Sequence, residues 1–136
     1  MTDTVDTKTR SEIMRRVHST NTKPEVQVRS IAHRLGFRFR LHRADLPGKP
    51  DIVFPALGKI VFVHGCFWHR HKNCKEATMP ASRREYWEMK LERNATRDKR
   101  NNSALRKLGW RVLVVWECQL KTPERVESRL KRFLDS

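Results

Sequence analysis

The sequence predicts an α/β domain in which a mixed central sheet is flanked by helices in three layers. Three observations lead there. Residues 60–63 and the stretch 110–116 are apolar enough for strands covered on both faces, whereas 37–41 alternates like a strand with one buried face. Other stretches repeat apolar residues at helical spacing behind capping signals. Their order is helix, three strands, helix, strand, helix, the pattern of helices packed on a sheet.

Taken in order, residues 1–8 are polar, and 1–20 are expected to form an arm with one short helix ahead of a single domain over 21–136. Thr9 and Glu12 make a T-x-x-E capping box for that helix, which carries Ile13, Met14 and Val17 on one side and is rich in Arg. A second box, Thr22 with Glu25 and Pro24 between them, opens a helix in which Val28, Ile31, Ala32 and Leu35 recur and which Gly36 ends. Phe37, Phe39 and Leu41 then alternate with Arg38 and Arg40. Leu46-Pro47-Gly48 turns the chain into a short strand at 51–54, a turn at 55–58 and a strand at 59–64. A loop runs to Pro80. Ser82 and Glu85 form a third box, for a helical region reaching Leu108 with a break expected near Asn94. Gly109 admits the strand at 110–116, and Thr122 with Pro123 starts a last helix that turns Val126, Leu130, Phe133 and Leu134 to the core.

With 136 residues there is room for one core and not for two. The formal net charge is +15, from 30 Lys and Arg against 15 Asp and Glu, and such an excess points to a polyanion, by default a nucleic acid. No apolar run approaches the ~20 residues that cross a bilayer, and the N-terminus lacks the apolar core of a signal peptide. A cytoplasmic protein with no membrane partner is therefore expected. Three cysteines cannot make a disulfide framework, so in a reducing compartment those lying near histidines read as metal ligands.

The segment 64–74, His-Gly-Cys-Phe-Trp-His-Arg-His-Lys-Asn-Cys, concentrates the chemistry. Cys66, His71 and Cys74 are close enough in sequence to surround one ion. Cys118, just past the last strand, is the remaining cysteine and the expected fourth ligand of a tetrahedral, structural Zn2+. Free cysteines with surface histidines are the alternative. His64 and His69 lie outside this set and remain available for chemistry. Asp51 opens a strand after Pro50, and a second strand ends at His64. That layout suits a nuclease in which a carboxylate holds Mg2+ at the scissile phosphate and a general base activates water. An Asp that merely caps a turn is the commoner explanation of Pro-Asp alone, and the capping box accounts for Glu25 equally well.

Residues 9–118 closely resemble the very short patch repair endonucleases, bacterial enzymes that nick DNA at T:G mismatches. The resemblance rests on Pro47-Gly48-Lys49-Pro50-Asp51, His64-Gly65-Cys66-Phe67-Trp68-His69, Leu108-Gly109-Trp110-Arg111-Val112-Leu113 and Val115-Trp116-Glu117-Cys118. It implies a restriction-endonuclease-like α/β core. Asp51 would coordinate Mg2+ with the main-chain carbonyl of Val63, which stands where many relatives carry Thr. His69 would be the general base, Glu25 would position water at the metal, and His64 would act on the phosphate or leaving-group side. Asp98 matches a further acidic position of the family, with a solvated charge as the rival reading. Cleavage 5′ of the thymine would leave a 3′-hydroxyl and a 5′-phosphate.

A T:G wobble pair unstacks more easily than a Watson–Crick pair, and apolar wedges exploit the difference. The resemblance makes Phe67, Trp68 and Trp87 such a wedge in double-stranded DNA, with core packing as the alternative, while Trp110 and Trp116 read as core. Lys90 and Asn94 share a helical face with Trp87 and are candidate base contacts, or else solvated surface. Met14 and the basic arm would close on the minor groove. The biology implied is repair of deaminated 5-methylcytosine by a monomer beside a cytosine-5 DNA methyltransferase, possible mismatch-repair proteins being further partners. The rivals are a zinc-stabilised DNA-binding protein without activity and a nickase for other damaged or branched DNA.

Overall fold

The computed structural model describes residues 22–136. The arm over 1–20, its capping box at 9–12 and Met14 lie outside the described residues.

Helix α1 spans Lys23–Arg34, β1 Arg40–Leu41, β2 Ile52–Phe54, β3 Lys59–His64, α2 Arg84–Lys107, β4 Arg111–Trp116 and α3 Pro123–Asp135. The four strands form one sheet in the order β1-β2-β3-β4. The first two pairings are antiparallel, and β3 runs parallel to β4. A parallel pair needs a long crossover, supplied here by the 65–83 segment and α2. The result is the mixed α/β sheet with helices that the order of elements predicts.

The period-two alternation of the strands divides the core between the two faces of the sheet. Ile52, Phe54, Val61 and Val115 pack on one face with Val28, Ile31 and Ala32 of α1 and Val126, Leu130 and Leu134 of α3. On the other face Val53, Ile60 and Phe62 pack with Leu105 of α2, supported by Trp110, Val112 and Val114. β3 contributes to both clusters, and its residues 59–62 are buried without interruption, as its apolar run requires. Each fully buried aliphatic or aromatic side chain is worth about 1.5–3 kcal/mol against exposure, so the two clusters account for much of the fold's stability.

Helix ends follow the chemistry of their neighbours. α1 closes in a Schellman motif, with Phe37 N–H donating to the Ala32 carbonyl and Gly36 N–H to that of His33. α2 closes the same way through Trp110 and Gly109, and Gly109 at φ 97 occupies the left-handed position that a side chain would strain. Its start departs from expectation. The residue before α2 is Arg83, at φ 55, and no side chain caps the helix. A Ser82–Glu85 box requires extended backbone at the cap, so that box does not form. The break expected near Asn94 is also absent, and the helix runs for 24 residues, about 36 Å at 1.5 Å per residue.

The alternating stretch 37–41 makes a strand only at its last two residues. Extending the β1–β2 register backwards would set Arg38 opposite Pro55, which has no N–H to give the ladder. Phe37 and Phe39 still bury one side, meeting the Phe54 ring edge-on at 6.4 and 5.9 Å. Among the described residues, no helix is long and apolar enough to cross a membrane.

Candidate active site

β2, β3 and β4 end or begin near one rim of the sheet, and the turns there collect the polar chemistry. The Pro47–Asp51 motif (47–51) is pinned from behind. Gly48 sits at φ 77, and a Cβ on it would stand 3.0 Å from the Asn101 side chain of α2. Only glycine serves both the backbone angle and the close approach. Buried Pro50 follows and delivers Asp51 to the start of β2.

Asp51 is half-buried, and its Oδ2 accepts the Val63 N–H at 2.8 Å. Burial pushes its carboxyl up to about 7; the Val63 hydrogen bond and His69 oppose that rise, while the neighbouring Glu25 carboxylate adds to it. Glu25 is only 2% exposed. Its main-chain N–H donates to Thr22 Oγ1 at 3.3 Å, so half of the expected capping box forms. Its carboxylate goes elsewhere, with Oε2 2.8 Å from His42 Nε2 and 3.4 Å from an Arg29 guanidinium nitrogen. Glu25, His42 and Asp51 thus bring three donor atoms within 4.8 Å of one another. The capping explanation of Glu25 does not account for this carboxylate.

A second group lies alongside. The His69 N–H donates back to the Gly65 carbonyl at 3.1 Å, a tight turn that returns the His69 ring onto that of His64, stacked at 3.8 Å. His69 Nδ1 is 2.6 Å from Asp98 Oδ2 of α2. With the carboxylate accepting, Nδ1 carries the proton and Nε2 is the basic nitrogen. Asp98 is therefore paired, which displaces the solvated-charge reading. His64 is 5% exposed, and burial lowers its pKa to about 3, with His69 adding to the effect, so the ring is neutral at neutral pH.

The third group is Cys66, His71, Cys74 and Cys118, whose ligand atoms also lie within 4.8 Å of one another. The His71 N–H donates to the Cys66 carbonyl at 2.9 Å and the Cys118 N–H approaches Cys66 Sγ at 3.4 Å, which ties the loop to the end of β4. Burial pushes the Cys66 thiol up to about 12, so a cation is what would make it a thiolate. Three thiols and an imidazole form a donor set able to hold a metal ion.

Between the groups stands Trp116. Its ring stacks on His71 at 4.1 Å and meets His64 edge-on at 5.1 Å. It is half-buried and spaces the cysteine cluster from the histidines, so the plain-core reading of Trp116 is corrected; Trp110 does pack against the core.

Phe67 and Trp68 project where the loop turns back, and with Trp87 they form an edge-to-face trio at 5.2, 5.5 and 6.0 Å. All three are partly exposed. Lys90 Nζ lies 5.8 Å from the rings of Trp68, Tyr86 and Trp87, and Asn94 Nδ2 donates to the Trp68 carbonyl at 3.4 Å. Asn94 thus braces the loop. Two members of this neighbourhood escaped the sequence reading. Tyr86, 44% exposed, extends the aromatic surface; its adjacency to Trp87 was the available signal. His42 joins Glu25 across 17 residues, a separation with no local sequence signal.

A family model described as DNA mismatch endonuclease Vsr matches residues 2–76. The chain is 51% identical over 135 residues to the type II nicking enzyme V.XorIIP of Xanthomonas oryzae pv. oryzae, covering 99% of this chain and 98% of that one. It is 42% identical to the type II nicking enzyme V.NmeAIP of Neisseria meningitidis, over 98% of this chain and 95% of the relative. With the DNA mismatch endonuclease Vsr of Escherichia coli it shares 41% identity, over 98% of this chain and 88% of that protein. A family match over more than half the chain, and relatives aligned along nearly their whole length, make this chain a member of the Vsr DNA mismatch endonuclease family.

Proposed function

We propose that this protein is a DNA mismatch endonuclease that nicks one strand 5′ to the thymine of a T:G pair by Mg2+-dependent hydrolysis, on a restriction-endonuclease-like core stapled by zinc. Family membership supports the reaction class. The observation that carries the mechanism is the pair of carboxylates, Asp51 and Glu25, beside the His69–Asp98 pair. Two carboxyl groups drawn together out of water repel, and a divalent cation held there would relieve that cost. The donor set therefore fits Mg2+, which Asp51 and the Val63 carbonyl would hold. When bound there, Mg2+ neutralises charge on the phosphate and lowers the cost of ionising water.

The chain's own groups do the rest. Asp98 fixes the His69 ring so that Nε2 takes the proton of the attacking water, while Glu25 orients that water. The water oxygen joins phosphorus, the bond to the 3′-oxygen breaks, and that oxygen takes a proton from solvent water to become the 3′-hydroxyl opposite a 5′-phosphate. His64, held neutral, offers the phosphate a hydrogen bond rather than a positive charge. Zn2+ on Cys66, His71, Cys74 and Cys118 would keep the loop closed, so that Phe67, Trp68 and Trp87 enter beside the mismatch as one block. Lys90 reads the adjoining bases, Asn94 supports the loop, and Met14 of the arm closes from the other groove. The protein acts as a monomer on the T:G product of 5-methylcytosine deamination, in the sequence context set by a companion cytosine-5 DNA methyltransferase, with mismatch-repair proteins as further partners.

The test is nicking of end-labelled duplexes, each with one T:G pair in a methylase-type context, in Mg2+ or EDTA. A single Mg2+-dependent cut 5′ of the thymine is expected. Asp51→Ala should bind the mismatch and cut about 100- to 1,000-fold more slowly, as expected when a group that stabilises the transition state is lost. Tight binding without any cut by the native protein would instead favour a DNA-binding module. Equal cutting at other lesions would favour a broader nickase.

A further inference from the structure

We propose that His42 is a positioning residue for the reaction: its imidazole holds the Glu25 carboxylate beside Asp51, so that the pair is set for a divalent cation. The inference rests on the functional reading above and adds a residue to it.

His42 is tied to both carboxylates at once. Its main-chain N–H donates to the Asp51 carbonyl at 3.2 Å, at the point where the β1–β2 ladder runs out. Its side-chain Nε2 lies 2.8 Å from Glu25 Oε2. One residue therefore fixes the backbone of the first carboxylate and the side chain of the second. It does so at φ 49, in the left-handed region that residues other than glycine seldom occupy. A neighbouring residue in the ordinary region would send its side chain in another direction, so the backbone angle and the Glu25 contact belong together.

Glu25 needs such a hold. It is almost fully buried, and its carboxyl oxygen sits within 4.8 Å of one on Asp51, a crowding of two acidic groups that favours their moving apart. Arg29 also reaches Oε2, at 3.4 Å from one turn along α1. Both partners lie near the same oxygen, Oε2. The Arg29 contact is the longer one and comes from within the helix. The His42 contact crosses from the sheet and locks α1 to the start of β2. Partners of this kind, which orient a metal-site group without being its ligands, change metal affinity or rate by about 10–100-fold when removed.

The test compares His42→Ala with His42→Gln. Alanine keeps a Cβ at the strained angle and removes the contact. Glutamine places an amide nitrogen about as far along the side chain as Nε2 and can donate the same hydrogen bond. Two readouts are taken: Mn2+ binding to the DNA-free protein by electron paramagnetic resonance, and kcat, KM and half-saturating Mg2+ for nicking a T:G duplex. His42→Ala should bind Mn2+ about 10-fold more weakly and lose about 10–100-fold in kcat, with KM for DNA unchanged. His42→Gln should stay within about threefold of the native protein in both. Native Mn2+ affinity and kcat in His42→Ala would overturn the proposal, as would a glutamine variant as impaired as the alanine one. If alanine lowers the melting temperature, the comparison passes to His42→Leu against His42→Gln, similar in size and differing in the ability to donate. Should the native protein nick no T:G duplex, the functional reading fails while the Mn2+ comparison still decides the role of His42.

Discussion

Burial separates the three histidines of the 64–71 stretch into three jobs. His71 faces thiols, His69 keeps one nitrogen on Asp98, and His64 is enclosed between His69, Phe62 and Trp116. His64 Nδ1 is buried without a hydrogen-bond partner, so protonating this ring in place is costly. A base whose folded pKa, about 3, lies below its unfolded value binds fewer protons in the native state between the two. The native state is then destabilised as pH falls from about 6.5, by at most about 1.4 kcal/mol per pH unit. His64→Phe keeps the ring contacts and cannot titrate. Its urea-unfolding free energy should fall less than that of the native protein between pH 6.5 and pH 5, by up to ~2 kcal/mol. Parallel pH curves for the two proteins would show that His64 is not held neutral.

Among the elements, the loop between β3 and α2 carries His69, Phe67, Trp68 and three members of the cysteine cluster, and two fixtures close it. One is Asn94 on the Trp68 carbonyl. The other is Cys118, the cluster member that lies on a different element from the loop. Losing the Cys118 thiol leaves three donors that are all local to the loop and removes the side-chain link to the end of β4. Cys118→Ser should reduce bound zinc, measured after dialysis against a mild chelator, from about one per chain to well under half. It should also lower the melting temperature by about 5–15 °C, equivalent to 2–3 kcal/mol for a domain of this size. A variant that keeps its zinc and its melting point would remove Cys118 from the ligand set. This element also shows how far the sequence could be read. β3 was legible to the residue because a continuous apolar run has one stable place, the middle of the sheet. The cysteine cluster was legible because thiols and imidazole in one short segment have few other uses. The short β1 and the uncapped start of α2 were not, since a proline opposite Arg38 and the left-handed Arg83 act through pairing and backbone angles that local composition does not encode. The Glu25–His42 contact was hidden for the same reason, being made across the fold and not along the chain.

At the scale of the whole molecule, two kinds of DNA contact should separate cleanly. A net charge of +15 supplies affinity through phosphates, and that affinity falls with salt regardless of sequence. On the proposed function, discrimination would come from the small aromatic surface, since a charge cannot distinguish T:G from T:A. The Phe67–Trp68–Trp87 trio is packed edge to face, and Asn94 holds the Trp68 carbonyl, so the proposed wedge would enter a base step already formed, without paying to order itself. Each base stacked on an aromatic is worth about 1–3 kcal/mol. Trp68→Ala should therefore cut the preference for T:G over T:A duplex by about 10- to 100-fold. Because the phosphate contacts remain, the slope of log Kd against log salt should be that of the native protein. Measuring Kd for both duplexes across a salt series in EDTA separates the two contributions without any cleavage. An unchanged preference would show that the mismatch is read elsewhere, and a shallower salt slope would show that Trp68 had been organising the phosphate contacts. An intact slope with lost preference would assign mismatch discrimination to the aromatic wedge and general affinity to the charged surface.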